Sequence, residues 1–313
     1  QCKNNIKQLG LAFHNYHDVY NTLPPAWVSA NNQVAAGETT IWSWGAYLLP
    51  YLDQAPLYNT VAPGVRRIDQ NLALGGVNAA ALTTPLPVFA CPSDPGPALN
   101  NFDGSLGTAS QSSDFGTYNR YVTNGTANVA IAKSNYVISA DTGDSNTPAV
   151  IAATYGPALG VAWGNSKVGL RDITDGTSNT IIVGERAFRI KQLNIGAGNA
   201  LGFSPATAGG AYANQQCRSC LAVIGIPYWG INQTSAAYEN HQSRAYSSNH
   251  VGGAHFLMGD GAVRFISENI DHKPGTIGGA TALTPPDHSG VAFIDSTFER
   301  LLGRSDGQVV GDF

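Results

Sequence analysis

The sequence predicts an α+β fold, an N-terminal helix packed on an antiparallel β-sheet that carries large loop insertions. Three observations predict it. Ile6, Leu9, Phe13, Tyr16 and Tyr20 follow one another at spacings of 3, 4, 3 and 4, which lines them up on one helix face. From Pro85 onward, short apolar runs alternate with Gly, Asn, Asp and Ser clusters, the texture of an antiparallel β protein. The segment Ala254–Ile266 reads as a hairpin around Gly259-Asp260-Gly261, because Asp and Gly tolerate positive φ.

The elements follow in order. The first helix spans residues 3–20, with Lys3, Lys7, Gln8, Asn15 and Asp18 off its apolar face. Asn21-Thr22 and then Pro24-Pro25 stop it, since proline disfavours helix in its predecessor. Shorter helices are expected over Trp44–Leu52 and Asp69–Ala81. Strands are expected at Val88–Ala90, Asn135–Ser139, Val150–Ala153, Thr180–Glu185, Leu221–Ile224, Ala254–Met258 and Ala262–Ile266. Segments 96–130 and 192–216 are polar and Gly-rich and read as long surface loops. The division is a helix over 1–22 and one globular α+β domain over 23–313.

Composition narrows the function. The 313 residues are enough to bury a core without staples. Charged residues make up only 12%, net charge is −4 and no basic run occurs, so nucleic acid is not an expected partner. No apolar stretch is long enough for a spanning helix. The single Met and low charge suit a secreted, β-rich surface protein.

Four cysteines, Cys2, Cys91, Cys217 and Cys220, are compatible with two disulfides and with none. Cys217-Arg-Ser-Cys220 has the gap of zinc knuckles and redox dithiols. His241, His250 and His255 match no zinc spacing, and no thioredoxin-like context surrounds the pair, so a loop disulfide or two separate bridges is the simpler reading.

Asp175-Gly-Thr-Ser-Asn179 precedes an apolar strand ending in Glu185. The simpler reading is a turn held by Asp and Ser side chains. The functional reading is a Ca²⁺ loop with Asp175, Asn179 and Glu185 as oxygen donors. It needs help from Asp94, Asp172 or Asp260, because Ca²⁺ takes 6–8 oxygens. Asp141, Asp144 and Asp103 are further candidates. His250 and His255, five apart, would point to opposite faces of an alternating strand. His250 is expected to fix its loop to the Asp260 turn by a structural hydrogen bond. His14 and His17 are neighbours on the first helix.

The sequence contains no Gly-x-Ser-x-Gly, no Gly-x-Gly-x-x-Gly and no Walker loop, and the expectation is a protein that is not an enzyme. Trp27, Trp42, Trp44, Trp163 and Trp229, with 13 Tyr, suit packing or a subunit interface, or alternatively a carbohydrate groove. Trp42-Ser-Trp44 alternates like a strand with both rings on one face.

Four stretches in this order carry a family resemblance. They are Cys2-Lys-Asn-Asn-Ile-Lys-Gln-Leu-Gly-Leu-Ala-Phe-His-Asn-Tyr-His-Asp18 with Leu23-Pro-Pro25, then Val88-Phe-Ala-Cys-Pro-Ser-Asp94. Ile173-Thr-Asp-Gly-Thr-Ser-Asn-Thr-Ile-Ile-Val-Gly-Glu185 follows, and last comes His250, separated by nine residues from Asp260-Gly261. The chain resembles the planctomycete family of pilin-like surface proteins with a prepilin-type N-terminal segment and a C-terminal His-x9-Asp-Gly signature, also labelled extracellular solute-binding proteins. The resemblance implies a pilin-like or pseudopilin-like fold in which residues 3–20 are the lower half of a longer helix. A leader and an apolar helix would precede Gln1, cut away by processing or cloning. It also implies a Cys2–Cys91 bridge, since both lie in family motifs, and an extracellular or cell-surface location. The expected function is a self-assembling subunit of a filament or surface coat. The alternatives are a glycan- or solute-binding module and a secreted hydrolase.

Overall fold

The computed structural model describes residues 1–29, 39–104, 119–140, 159–204, 219–227, 230–233, 243–272, 294, 296–308, 310–311 and 313. In chain order the helices are α1 (Cys2–Tyr20), α2 (Trp44–Leu48), α3 (Ala55–Val61), α4 (Ile68–Leu74), α5 (Gly76–Thr83) and α6 (Thr297–Leu302). The strands are β1 (Trp27–Val28), β2 (Ile41–Ser43), β3 (Val122–Thr123), β4 (Asn128–Val129), β5 (Lys133–Ser134), β6 (Tyr136–Ser139) and β7 (Ile181–Glu185). They continue as β8 (Arg189–Ile190), β9 (Leu193–Asn194), β10 (Gly198–Asn199), β11 (Gly202–Phe203), β12 (Ile224–Gly225), β13 (Gly253–Met258) and β14 (Val263–Ser267). The chain is thus mixed helix and sheet, as its patterning predicts.

The main sheet has five strands in the order β12-β6-β7-β13-β14. Every pairing is antiparallel except β12 with β6, which is parallel, a departure from the all-antiparallel expectation. β6 and β7 pair Tyr136 with Glu185 and Val137 with Gly184, and β13 sets Phe256 beside Gly184 on the other side. β1, β2 and β11 form a smaller sheet.

α1 is amphipathic for a reason visible in its burial. Cys2, Ile6, Leu9, Ala12 and Phe13 share one core with Tyr136, Val183 and Leu257 of the sheet. Gly10 permits the close approach, since a Cβ there would lie 2.7 Å from Leu257 Cδ1. Tyr20, expected on the buried face, is 55% exposed. The helix ends at Asn21, whose left-handed φ of 56° lets its N–H cap the His17 carbonyl. The opposite face of β13 carries Ala254, Phe256 and Met258 into a second cluster with Tyr246, Phe298 and Leu301. At the hairpin turn, Gly261 takes the positive φ of 83°, and Asp260 accepts the Ala262 N–H at 2.9 Å.

Several local expectations are corrected. Residues 87–89 form a 3-10 turn rather than a strand, because Pro87 has no N–H to give a ladder. The helix expected over 69–81 is two helices, broken where Gly75 adopts φ 66°, ψ −158°. Residues 219–222 form a 3-10 turn and the strand begins only at Ile224. Trp42 ends no strand face shared with Trp44, because Trp44 already opens α2. The two predicted loops hold short strands in their described parts, β3 and β4 in one and β9, β10 and β11 in the other. The strand expected at Val150–Ala153 lies outside the described residues. No helix of the described residues is long and apolar enough to cross a membrane.

Candidate functional site

One polar cluster sits under the N-terminal end of α1, where the helix meets the ends of β6, β7 and β13. The Cys2–Cys91 disulfide joins helix and sheet side, as the resemblance implies. Asn5, buried on the same helix face, donates to the carbonyls of Pro87 and Ala90 at 3.1 and 2.7 Å and so holds the segment that delivers Cys91. Tyr136 donates to the Cys2 carbonyl at 3.2 Å.

Beside the disulfide lies Glu185, whose side chain is 2% exposed. Its Oε2 accepts the His255 backbone N–H at 2.7 Å and lies 3.2 Å from His255 Nδ1. Its Oε1 lies 3.3 Å from His250 Nε2, and that nitrogen is also 3.6 Å from Cys91 Sγ. The two imidazoles meet edge to face with centroids 4.7 Å apart. The expectation that they point to opposite faces is therefore corrected. His250 precedes β13, in a turn where Gly252 has φ 85°, so strand alternation does not relate the two. Nor does His250 reach the Asp260 turn, which lies at the far end of the strand that separates them.

A buried ion pair adjoins this cluster. Lys133 Nζ lies 2.5 Å from Asp94 Oδ2, with side chains 4% and 3% exposed. Asn135 donates to the same oxygen at 2.6 Å, and the Phe188 N–H donates to Oδ1 at 3.0 Å. Arg186, fully buried, donates to the carbonyls of Ala245 at 2.8 Å, Leu221 at 2.6 Å and Ile224 at 2.8 Å, and also to that of Arg244. Burial, and then the nearby Arg120 charge, hold its pKa well below the usual arginine value. Between these groups is a cavity of about 10 Å³, room for about one water. Arg186, Lys133 and Asn135 were not singled out by sequence reasoning. The visible signal was the Glu185-Arg186 pair closing an apolar strand, where burial demands partners.

The calcium candidates are not brought together. Asp175 accepts the backbone N–H groups of Asp306 and Gly307, and Asn179 donates to the Asp175 carbonyl at 3.5 Å. Glu185 belongs to the histidine cluster and Asp260 to its own turn, while Asp172 accepts the Gly169 N–H. Among the described residues, the one group of metal-type ligands within reach of one another is Cys2, Cys91, Glu185 and His250. Cys217, Asp141, Asp144, His241 and Trp229 lie outside the described residues, and Cys220 is buried. His14 and His17 do not act together. His17 Nε2 accepts the Leu170 N–H, and His14 lies against Gly261.

Trp27, Trp42 and Trp44 are core residues, and the indoles of Trp42 and Trp44 donate to the carbonyls of Arg66 and Val223. They do not line a groove. A groove of about 460 Å³ does run along the outer side of α1, lined by Gln8, Leu11, Asn15, Tyr51, Leu52 and Val88, among others. Tyr16 packs on Tyr20 and Tyr51 nearby, with centroids 4.4 and 6.0 Å away. Burial and these neighbouring phenols push its pKa up to about 12.

A helix-on-sheet α+β protein with a disulfide-anchored N-terminal helix is the class these observations define. The chain belongs to the family described as "Protein of unknown function (DUF1559)", whose model, labelled SBP_bac_10, matches residues 1–273. No curated protein and no solved structure matches the chain.

Proposed function

We propose that this chain is a non-enzymatic structural protein of the cell exterior, a pilin-like subunit that associates with copies of itself in a filament or surface coat. The observation that carries the reading is the outer face of α1. Its inner face is sealed to the sheet, while Leu11 and Val19 are 66% and 59% exposed on the outer side. Two large apolar side chains stand out on this helix, and Leu11 lines a groove together with Leu52 and Val88, a surface of the kind that marks contact sites. The 12% charge content keeps repulsion between copies small. The disulfide suits an oxidising compartment, and the family label suits an extracellular protein.

Light scattering and negative-stain electron microscopy of the full chain test this. Ordered polymers or discrete oligomers are expected, and the double variant Leu11→Glu, Val19→Glu is expected to abolish them while leaving the circular dichroism spectrum unchanged. Monomers at high protein concentration would overturn the reading.

A second reading is favoured by the groove itself, whose volume falls in the range of small-ligand sites. On this reading the chain is an extracellular binding module for a glycan or solute. A thermal-shift screen against glycans and small solutes separates the two: a saturable shift without assembly favours the module.

A further inference from the structure

A disulfide needs neither a carboxylate nor an imidazole beside it, yet Cys2 and Cys91 have both. One ligand atom each from Cys2, Cys91, Glu185 and His250 lies within 4.8 Å of all the others. The four come from α1, the segment after the 87–89 turn, the end of β7 and the turn before β13, so the tertiary fold assembles them. The two separations that involve His250 are those of a metal site. For tetrahedral zinc, with metal–ligand bonds of roughly 2.0–2.3 Å, the edges between ligand atoms come to roughly 3.3–3.8 Å. His250 Nε2 lies 3.6 Å from Cys91 Sγ and 3.3 Å from Glu185 Oε1. The sulfur–sulfur edge is shorter, because the two sulfurs are bonded to each other.

We propose that the dithiol form of this chain binds one Zn²⁺ through Cys2, Cys91, Glu185 and His250, and that closing the disulfide expels the metal. The two states differ by a balanced exchange. A thiol or phosphine reductant supplies two electrons, the S–S bond breaks, and two protons make two thiols. Zn²⁺ then displaces both protons and takes the two thiolates, one oxygen of Glu185 and the Nε2 lone pair of His250. A disulfide oxidant removes the two electrons again, the S–S bond forms and Zn²⁺ leaves.

The surroundings support the role. Glu185 Oε2 stays on the His255 N–H and ring, which orients Oε1 toward the metal position, the usual support for a ligating carboxylate. Two thiolates, a carboxylate and Zn²⁺ sum to one negative charge, and the buried Arg186 lines the same small cavity as Cys91 and Glu185. Entry is from the His250 side. Its ring is 22% exposed and the next residue, Val251, is 98% exposed, whereas Cys2 and Cys91 are only 4% and 7% exposed. The proposal is independent of self-assembly.

The test uses the full chain carrying Cys217→Ser and Cys220→Ser, so that the other cysteines contribute nothing. The protein is reduced with a phosphine, exposed to zinc sulfate, desalted and assayed for bound zinc. One zinc per chain is expected in the reduced form and essentially none in the oxidised form, with release on treatment with a disulfide oxidant. His250→Ala, on a partly exposed ring, is expected to weaken zinc binding by roughly tenfold or more, measured against a competing chelator. Co²⁺ added to the reduced chain is expected to show thiolate charge-transfer and tetrahedral ligand-field bands. A reduced chain that retains no zinc, folded or not, would overturn the proposal. So would equal zinc in the oxidised form, or a Co²⁺ spectrum without thiolate bands.

Discussion

Glu185 and His255 face each other across the β7–β13 ladder, and the Glu185 carboxylate takes both the His255 backbone N–H, at 2.7 Å, and a ring contact to Nδ1 at 3.2 Å. The second oxygen faces His250, and one buried side chain thereby ties two strands and the turn before them.

Glu185→Gln keeps the volume but replaces one acceptor oxygen with a donor. A loss of about 2 kcal/mol is expected, the cost of leaving a buried donor unpaired. Urea denaturation checks it, through a lower midpoint at unchanged slope.

Arg186 holds four backbone carbonyls from two chain segments. Arg186→Met leaves them without a donor and should cost about 3–5 kcal/mol, as does removing one side of a buried polar network. Arg186→Lys should recover only part of this, since an ammonium cannot reproduce the planar fork. Thermal melts of the three proteins rank them.

A Cβ on Gly184 would lie 2.4 Å from Tyr246 Cδ1 and 2.6 Å from Phe256 Cε1. Both rings are fully buried and packed on Phe298, so they cannot swing aside. Gly184→Ala is expected to destabilise by about 1–3 kcal/mol despite its better strand propensity. A variant at wild-type stability in chemical denaturation would refute the packing described.

The disulfide spans 89 residues of chain. Reduction frees that loop in the unfolded state, and a loss of about 2–4 kcal/mol is expected. Melting curves with and without reductant, in metal-free buffer, measure it.

Asp306 lies next to Asp175 near the C-terminus. Burial raises its pKa above the ordinary 3.8, and Asp175 adds to the rise. A raised carboxyl pKa means that the folded chain holds the proton more tightly than the unfolded one. Its stabilising contribution is complete below the ordinary value and is lost as pH climbs through the raised one. Asp306→Asn should remove this loss. Its stability relative to wild type should therefore increase between about pH 3 and about pH 7, measured by urea titration at each.

Local pattern made much of the fold legible. α1 and the β13–β14 hairpin follow from spacing and turn chemistry that act over a few residues, and both lie within a residue or so of where the periodicity puts them. Pattern failed where a local signal was ambiguous. Val88–Ala90 has the composition of a strand, but Pro87 and the Asn5 side chain hold residues 87–90 as a turn against α1. The parallel pairing of β12 also left no mark in sequence, because a two-residue edge strand has no period to read.

The candidate site divides in the same way. Residues Cys2, Cys91, Glu185 and His250 stand out singly in the chain as members of distinct motifs, and local chemistry accounts for the turn at Asp260. The Asp175 carboxylate, expected to hold its own turn, is instead taken up by the distant N–H groups of Asp306 and Gly307. The grouping of the site residues is a property of three-dimensional packing. Glu185 and His255 meet because the register sets 184 beside 256, and Cys2 joins them because one face of α1 seats on that side of the sheet. Sequence spacing encodes which way a side chain points within one element. It carries no information on which other element will lie opposite, and the hydrophobic burial that seats α1 on the sheet settles that.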